Sequence, residues 1–154
     1  MATRSTIALE REDGVIQVYC HWDGYLENNG RILMEHYDTP AKVAELLSNG
    51  DISSLRPTVG CAHPFSCFDT GMSTQDFDAL YGNMTTYYGR DRGEAASRIS
   101  MRRYDNFDAY QRDAQMEEYN YIMREGQWFV EYYATGGCLM ELSEAFHNEA
   151  EMAD

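Results

Sequence analysis

Two hairpin signatures, one near each end of the chain, restrict the fold more than any other feature. Thr3 to Glu12 alternates in polarity and ends at Asp13-Gly14, a two-residue turn with a strong hairpin preference. Val15 to Trp22 follows, rich in β-branched and aromatic residues, and Asp23-Gly24 closes it. Near the other end, Glu118 to Arg124 and Gln127 to Ala134 meet at Glu125-Gly126. An all-parallel sheet needs strand–helix alternation throughout, which a hairpin at each end does not show. The expected class is therefore α+β: a mainly antiparallel sheet of five or six strands with flanking helices, in a single domain over residues 1–154.

Helix signals fill the interior. A helix beginning near Asn28 or Asn29 would carry Ile32, Leu33, His36 and Tyr37 on one face. Thr39-Pro40 is a cap followed by proline at the first helical position, opening Ala41 to Ser48 with Val43, Leu46 and Leu47 as its apolar stripe. Asp51 to Ser73 reads as irregular, broken by Pro57, Gly60, Pro64 and Gly71. A short acidic helix over Thr74 to Tyr81, a strand over Met84 to Tyr88 and a helix over Phe107 to Met116, capped by Asp105 or Asn106, come next. Cys138 to Leu142 reads as a short strand and Ser143 as the start of a last acidic helix.

With 154 residues, 44% of them hydrophobic and 13% aromatic, the chain can bury a core of its own. No apolar run is long enough to span a bilayer, and the first residues lack the apolar core of a signal peptide. A cytoplasmic location is expected, with four free cysteines and the Asn83-Met84-Thr85 sequon unused.

Charge is the main functional signal. The net value is −14, from 26 acids against 12 bases, the bases being eleven Arg and Lys42. Residues 1–55 carry nine acids and four bases, residues 56–112 seven of each, and residues 113–154 ten acids against Arg124 alone. Such a chain is repelled by nucleic acid and anionic lipid and attracted to basic protein surfaces. The C-terminal carboxylates Glu117, Glu118, Glu125, Glu131, Glu141, Glu144, Glu149 and Glu151 form the candidate partner surface. On strands and a short helix such groups recur roughly 6–7 Å apart, close to the phosphate spacing of a nucleic-acid strand. The plainer alternative is that acidity serves only solubility.

Residues 90–112 reverse the sign, with six arginines against four acids. Arg90 and Arg92, with Tyr88 and the His21-Trp22-Asp23 and Tyr25 segment, are candidates for holding a nucleotide or phosphorylated signal. The alternative is that these arginines pair with the protein's own acids. Cys61, His63 and Cys67 are zinc-type donors, with Cys20, His21 or Cys138 available to complete a set. They contain no Cys-x-x-Cys element and fit no common zinc spacing, so neither metal nor cofactor is assigned. Cys20 and His21, adjacent on a strand, point to opposite faces and make no nucleophile–base pair. No nucleophile elbow or phosphate-cradling glycine loop occurs, so no catalytic residue is assigned.

The string Tyr19-Cys20-His21-Trp22-Asp23-Gly24-Tyr25, with Thr3 to Glu10 before it, resembles a family of small, functionally uncharacterised proteins of bacteriophages and mobile elements. The resemblance extends over Asn29-Gly30, Lys42 to Leu47, Gly50 to Leu55, Tyr88 to Glu94, Tyr119 to Tyr121 and Gly126 to Val130, about half the chain. It implies a setting, the cytoplasm of an infected host cell, where small acidic phage proteins counter host defences. The leading expectation is a non-enzymatic inhibitor that mimics DNA or RNA and occupies a basic nucleic-acid-binding surface of a host defence protein, of the anti-CRISPR or anti-restriction kind. It would make no direct nucleic-acid or membrane contact, and its nine Met and many aromatics suit a homodimer. A sponge for a nucleotide signal stands second, and a small nucleotide-acting enzyme using His21, Asp23 or a cysteine third.

Overall fold

The hairpin turns are where glycine and left-handed backbone are required. The computed structural model describes residues 2–152. Strand β1 (Ser5–Arg11) pairs antiparallel with β2 (Gly14–Cys20), Ser5 opposite Cys20 and Arg11 opposite Gly14. Gly14 has φ +134°, and a Cβ there would sit 2.4 Å from the Tyr104 carbonyl oxygen. Only glycine fits that approach. Counting all eight strands in chain order, the second hairpin joins β6 (Tyr119–Arg124) to β7 (Gln127–Tyr132) through Glu125 and Gly126, both at positive φ, as a type I′ turn requires.

The sheet is mixed and eight-stranded, in place of the expected mainly antiparallel sheet of five or six strands. Its order is β4-β3-β2-β1-β6-β7-β8, where β3 is Ile52–Ser54, β4 Thr86–Tyr87 and β8 Met140–Glu141; β5 (Arg102–Tyr104) also pairs with β2. The two hairpins lie side by side through a parallel β1–β6 pairing, Ser5 opposite Tyr119 through Leu9 opposite Met123. The whole middle of the chain acts as the crossover, so no local alternation of strand and helix announces it. The extra strands, β3 and β5, are three residues each, too short to display a period. The edge of β2 recruits both. Arg102 to Tyr104 pair with its first half, and Ile52 pairs in parallel with Cys20.

Between β5 and β3 the edge of β2 would be bare. Asp51 fills the gap: its Oδ1 accepts the Tyr19 backbone N–H at 2.9 Å, and its carboxylate takes a two-pronged bond from Arg102. A side chain thus stands in for a missing stretch of strand, which satisfies a donor that burial would otherwise strand.

Both faces are covered, unequally. One face, carrying Ile7, Leu9, Ile16, Val18, Tyr121, Met123 and Val130, packs against α1 (Arg31–His36), α2 (Pro40–Leu47) and α6 (Leu142–Met152). Helix α2 starts as expected, with the Thr39 hydroxyl accepting the Lys42 N–H and Val43, Leu46 and Leu47 fully buried. Asn28 and Asn29 instead belong to a π-helical turn, Leu26–Gly30, which leads into α1. Buried Asn29 donates to Ser5 Oγ and Cys20 Sγ there, tying the turn to both strands of the first hairpin. On the other face, Ala8, Val15 and Ile122 lie under the helix Phe107–Asp113, numbered α5 because Thr74–Tyr81 (α3) and Ala96–Ile99 (α4) precede it. The Asn106 side chain caps α5 by accepting the Ala109 N–H at 2.8 Å. Among the described residues no helix is long and apolar enough to cross a membrane.

Candidate functional sites

The eight C-terminal glutamates are spread over both faces and the strand ends of the β6–β8 side of the sheet, its acidic margin, instead of lining one face. Glu117 and Glu118 precede β6, Glu125 sits in the turn, Glu131 on β7, Glu141 on β8, and Glu144, Glu149 and Glu151 on α6. Glu131 points to the α5 face and accepts from Asn120 Nδ2 at 2.9 Å. Glu149 lies on the opposite face and accepts the Tyr132 phenol at 2.8 Å. Burial, with that carboxylate, raises the Tyr132 pKa.

Counter-charge separates this margin from the rest of the molecule. Elsewhere Arg11, Arg31, Lys42, Arg90, Arg92, Arg102, Arg112 and Arg124 each pair with an acid outside the set of eight. Among the described residues no Arg or Lys pairs with any of the eight, and Glu151 meets only His147, at 3.1 Å. Eight of the twelve bases are thus paired with acids outside the C-terminal set.

Arg90 is a structural clamp. Its Nε and one terminal nitrogen bind both oxygens of Asp91, and the remaining donors reach the carbonyls of Val59, Gly60 and Thr85. All five N–H groups are engaged, which leaves none for an external phosphate. The Asp91 carboxylate is fully buried and also accepts the backbone N–H groups of His63 and Tyr87. His63 donates Nδ1–H to the Cys61 carbonyl at 2.8 Å, and its Nε2 lies 3.3 Å from the Thr86 hydroxyl. Both ring nitrogens are therefore used, while Cys61 is exposed and Cys67 half-buried. Among the described residues no three His, Cys, Asp or Glu side chains are grouped as a metal would require.

The remaining ligand candidates are dispersed. Arg92 lies over Phe65 and Tyr88, 5.1 and 5.4 Å from the ring centroids, and pairs with Glu94 at 3.0 Å. Trp22 and Tyr25 project as exposed aromatics, 42% and 41% accessible. Asp23 adopts φ +55°, and its carbonyl accepts from Asn28 and Asn29. His21 is held by Tyr19, whose phenol oxygen lies 2.6 Å from Nδ1. Burial, then the charge of Arg4, lowers the His21 pKa, so the ring is neutral near pH 7 and accepts the phenol proton.

Sequence patterning missed a polar cleft on the α5 side of the sheet. Thr6, Gln17, Tyr19, Asp51, Arg102, Gln115 and Glu117 line a cavity of about 130 Å³. Thr6 donates to Asn120 Oδ1 at 2.9 Å, and Gln17 accepts from the Tyr104 phenol at 3.0 Å. Thr6 and Gln17 are buried polar residues within otherwise apolar strands, and that interruption was the one available signal. Compared with family models, curated proteins and solved structures, the chain matches none.

Proposed function

We propose that this chain is a non-enzymatic acidic binding protein of bacteriophage type. In this reading it occupies a basic, nucleic-acid-binding surface of a host defence protein in the host cytoplasm. One observation carries it: among the described residues none of the eight glutamates from Glu117 to Glu151 forms a salt bridge with an arginine or lysine. Uncompensated carboxylates at one margin project a negative field that steers a basic partner and repels nucleic acid. A protein needing acidity only for solubility has no reason to segregate it. The nucleotide-sponge alternative loses its principal cation, since Arg90 spends every donor internally.

The test is competition. Tagged full-length chain is incubated with extract of host cells carrying defence systems, then washed with duplex DNA or with salt from 0.05 to about 0.5 M, a range that collapses the screening length. The expected partner is a nucleic-acid-binding protein released by DNA and by salt. It should be lost from a variant with Glu141, Glu144, Glu149 and Glu151 changed to Gln. Retention of the partner through DNA and salt, or by the variant, overturns the reading.

A further inference from the structure

Tyr110, on α5, is 1% exposed, and its phenol is the one buried side-chain polar atom without a hydrogen-bond partner among the described residues. Buried hydroxyls are satisfied as a rule, so an orphan asks for an explanation. Tyr110 lines a cavity of about 300 Å³ between α5 and the β7–β8 connection. That volume lies at the lower end of small-ligand sites. Glu117 and Glu131 stand on its walls with Met116 and Leu139. Among the described residues neither carboxylate forms a salt bridge, and no Arg, Lys or His lines the space.

The geometry points to a binding site for an alkylguanidinium or alkylammonium group: the two carboxylates neutralise the cation, the Tyr110 oxygen accepts one N–H, and Met116 and Leu139 pack on the alkyl stem. The chemistry of the lining excludes the other classes. An anion meets two carboxylates and no cation. An apolar ligand gives the Glu117 carboxylate and the phenol no partner. A cation with an aliphatic stem satisfies every group present. Glu131 holds Asn120 through one oxygen at 2.9 Å and keeps acceptor capacity on the other. Burial, followed by the charges of Tyr104 and Glu131, keeps the Tyr110 phenol protonated.

The inference rests on the acidic-margin reading and gives it an anchor, because a basic partner surface presents such side chains. A partner's arginine and a free polyamine share the chemistry. The experiment therefore uses N-acetyl-arginine amide and spermidine, with the neutral N-acetyl-citrulline amide as control, titrated into the full chain by NMR. The charged probes should shift the amides of Tyr110, Met116 and Leu139, and the citrulline probe should not. Tyr110→Phe and Glu117→Gln should each weaken binding about tenfold, while Glu45→Gln, exposed on α2, should leave it unchanged. Tyr110→Phe should keep or raise the melting temperature, which separates lost binding from lost folding. Preference for the arginine amide identifies a partner side chain, and preference for spermidine a polyamine. Equal binding of the citrulline probe, undiminished binding by Tyr110→Phe, or an equal loss in Glu45→Gln overturns the proposal. The two readings fail separately: DNA-sensitive partner capture without probe binding removes the pocket and leaves the margin, and the converse leaves the pocket alone.

Discussion

Replacing Asp91 by Ala tests the best-defined polar cluster in the molecule. The Asp91 carboxylate is 0% exposed and the Arg90 side chain 15%. Removal strips the guanidinium of its counter-charge and leaves the backbone N–H groups of His63 and Tyr87 without acceptors. Breaking a buried pair from one side costs roughly 3–5 kcal/mol, because the remaining charge stays buried and unpaired. The two stranded donors fall within that figure rather than adding to it, since all three groups relax together. Against a total stability of about 5–15 kcal/mol, this is a large fraction. At about 2–4 °C per kcal/mol for a chain this size, the melting temperature should fall by roughly 10 °C. Circular dichroism on heating and in urea measures the loss. Hydrogen exchange should show the His63 and Tyr87 amides released first. Arg90→Ala should be similarly costly, and the double variant should cost well short of the sum. A loss under about 1 kcal/mol for Asp91→Ala, or full additivity, would refute the clamp.

Gly14→Ala should destabilise by about 1–3 kcal/mol and loosen β5, since φ is +134° and the added carbon meets the Tyr104 carbonyl; unchanged protection at the β2–β5 pairing would contradict this. In the native protein a thiol reagent should label exposed Cys61 and Cys138 quickly and leave Cys20 untouched. Burial pushes the Cys20 thiol up to about 11, so the folded state holds its proton while the unfolded state, near 9.0, releases it. Stability should therefore fall as pH rises from 9 to 11, less steeply in Cys20→Ala; equal slopes in urea titrations would reject the assignment. The lowered His21 pKa has the opposite sense: its contribution is present above pH 6.5 and is lost as pH falls through the folded value. An NMR midpoint for His21 below 6.5, moving up in Arg4→Gln, is the expected result, and a midpoint above 6.5 would dismiss it.

A charged margin governs association more than folding. Rim carboxylates act mainly on encounter rate and its salt dependence, whereas a desolvated pocket acts on dissociation. The two proposals thus separate kinetically. Neutralising Glu144 should slow partner association, and altering Tyr110 should hasten release.

Local chemistry determined what local sequence can determine. Asp13-Gly14 and Glu125-Gly126 marked the two hairpins: the second turn stands where it was expected, and the first is shifted by one residue to Glu12-Asp13, with Gly14 opening β2 opposite Arg11. Thr39-Pro40 and the Asp105-Asn106 pair marked helix starts because orphan N–H groups need a nearby acceptor, and packing selected Asn106 as the second cap. The segregation of acids toward the C-terminus is a property of the sequence itself. Pairing between hairpins was beyond that reach. The parallel β1–β6 contact joins residues 114 positions apart, as Thr6 and Asn120 show, and neither strand carries a mark of its neighbour. Strands β3 and β5 exist because the edge of β2 was open, and Asp51 bridges them only after all three have met. Arg90 could be read in the sequence as a phosphate ligand; its neighbours in space turned it into a clamp. The tertiary structure alone made Tyr110 an orphan beside Glu117 and Glu131, because burial and the lack of a partner are properties of the packed chain.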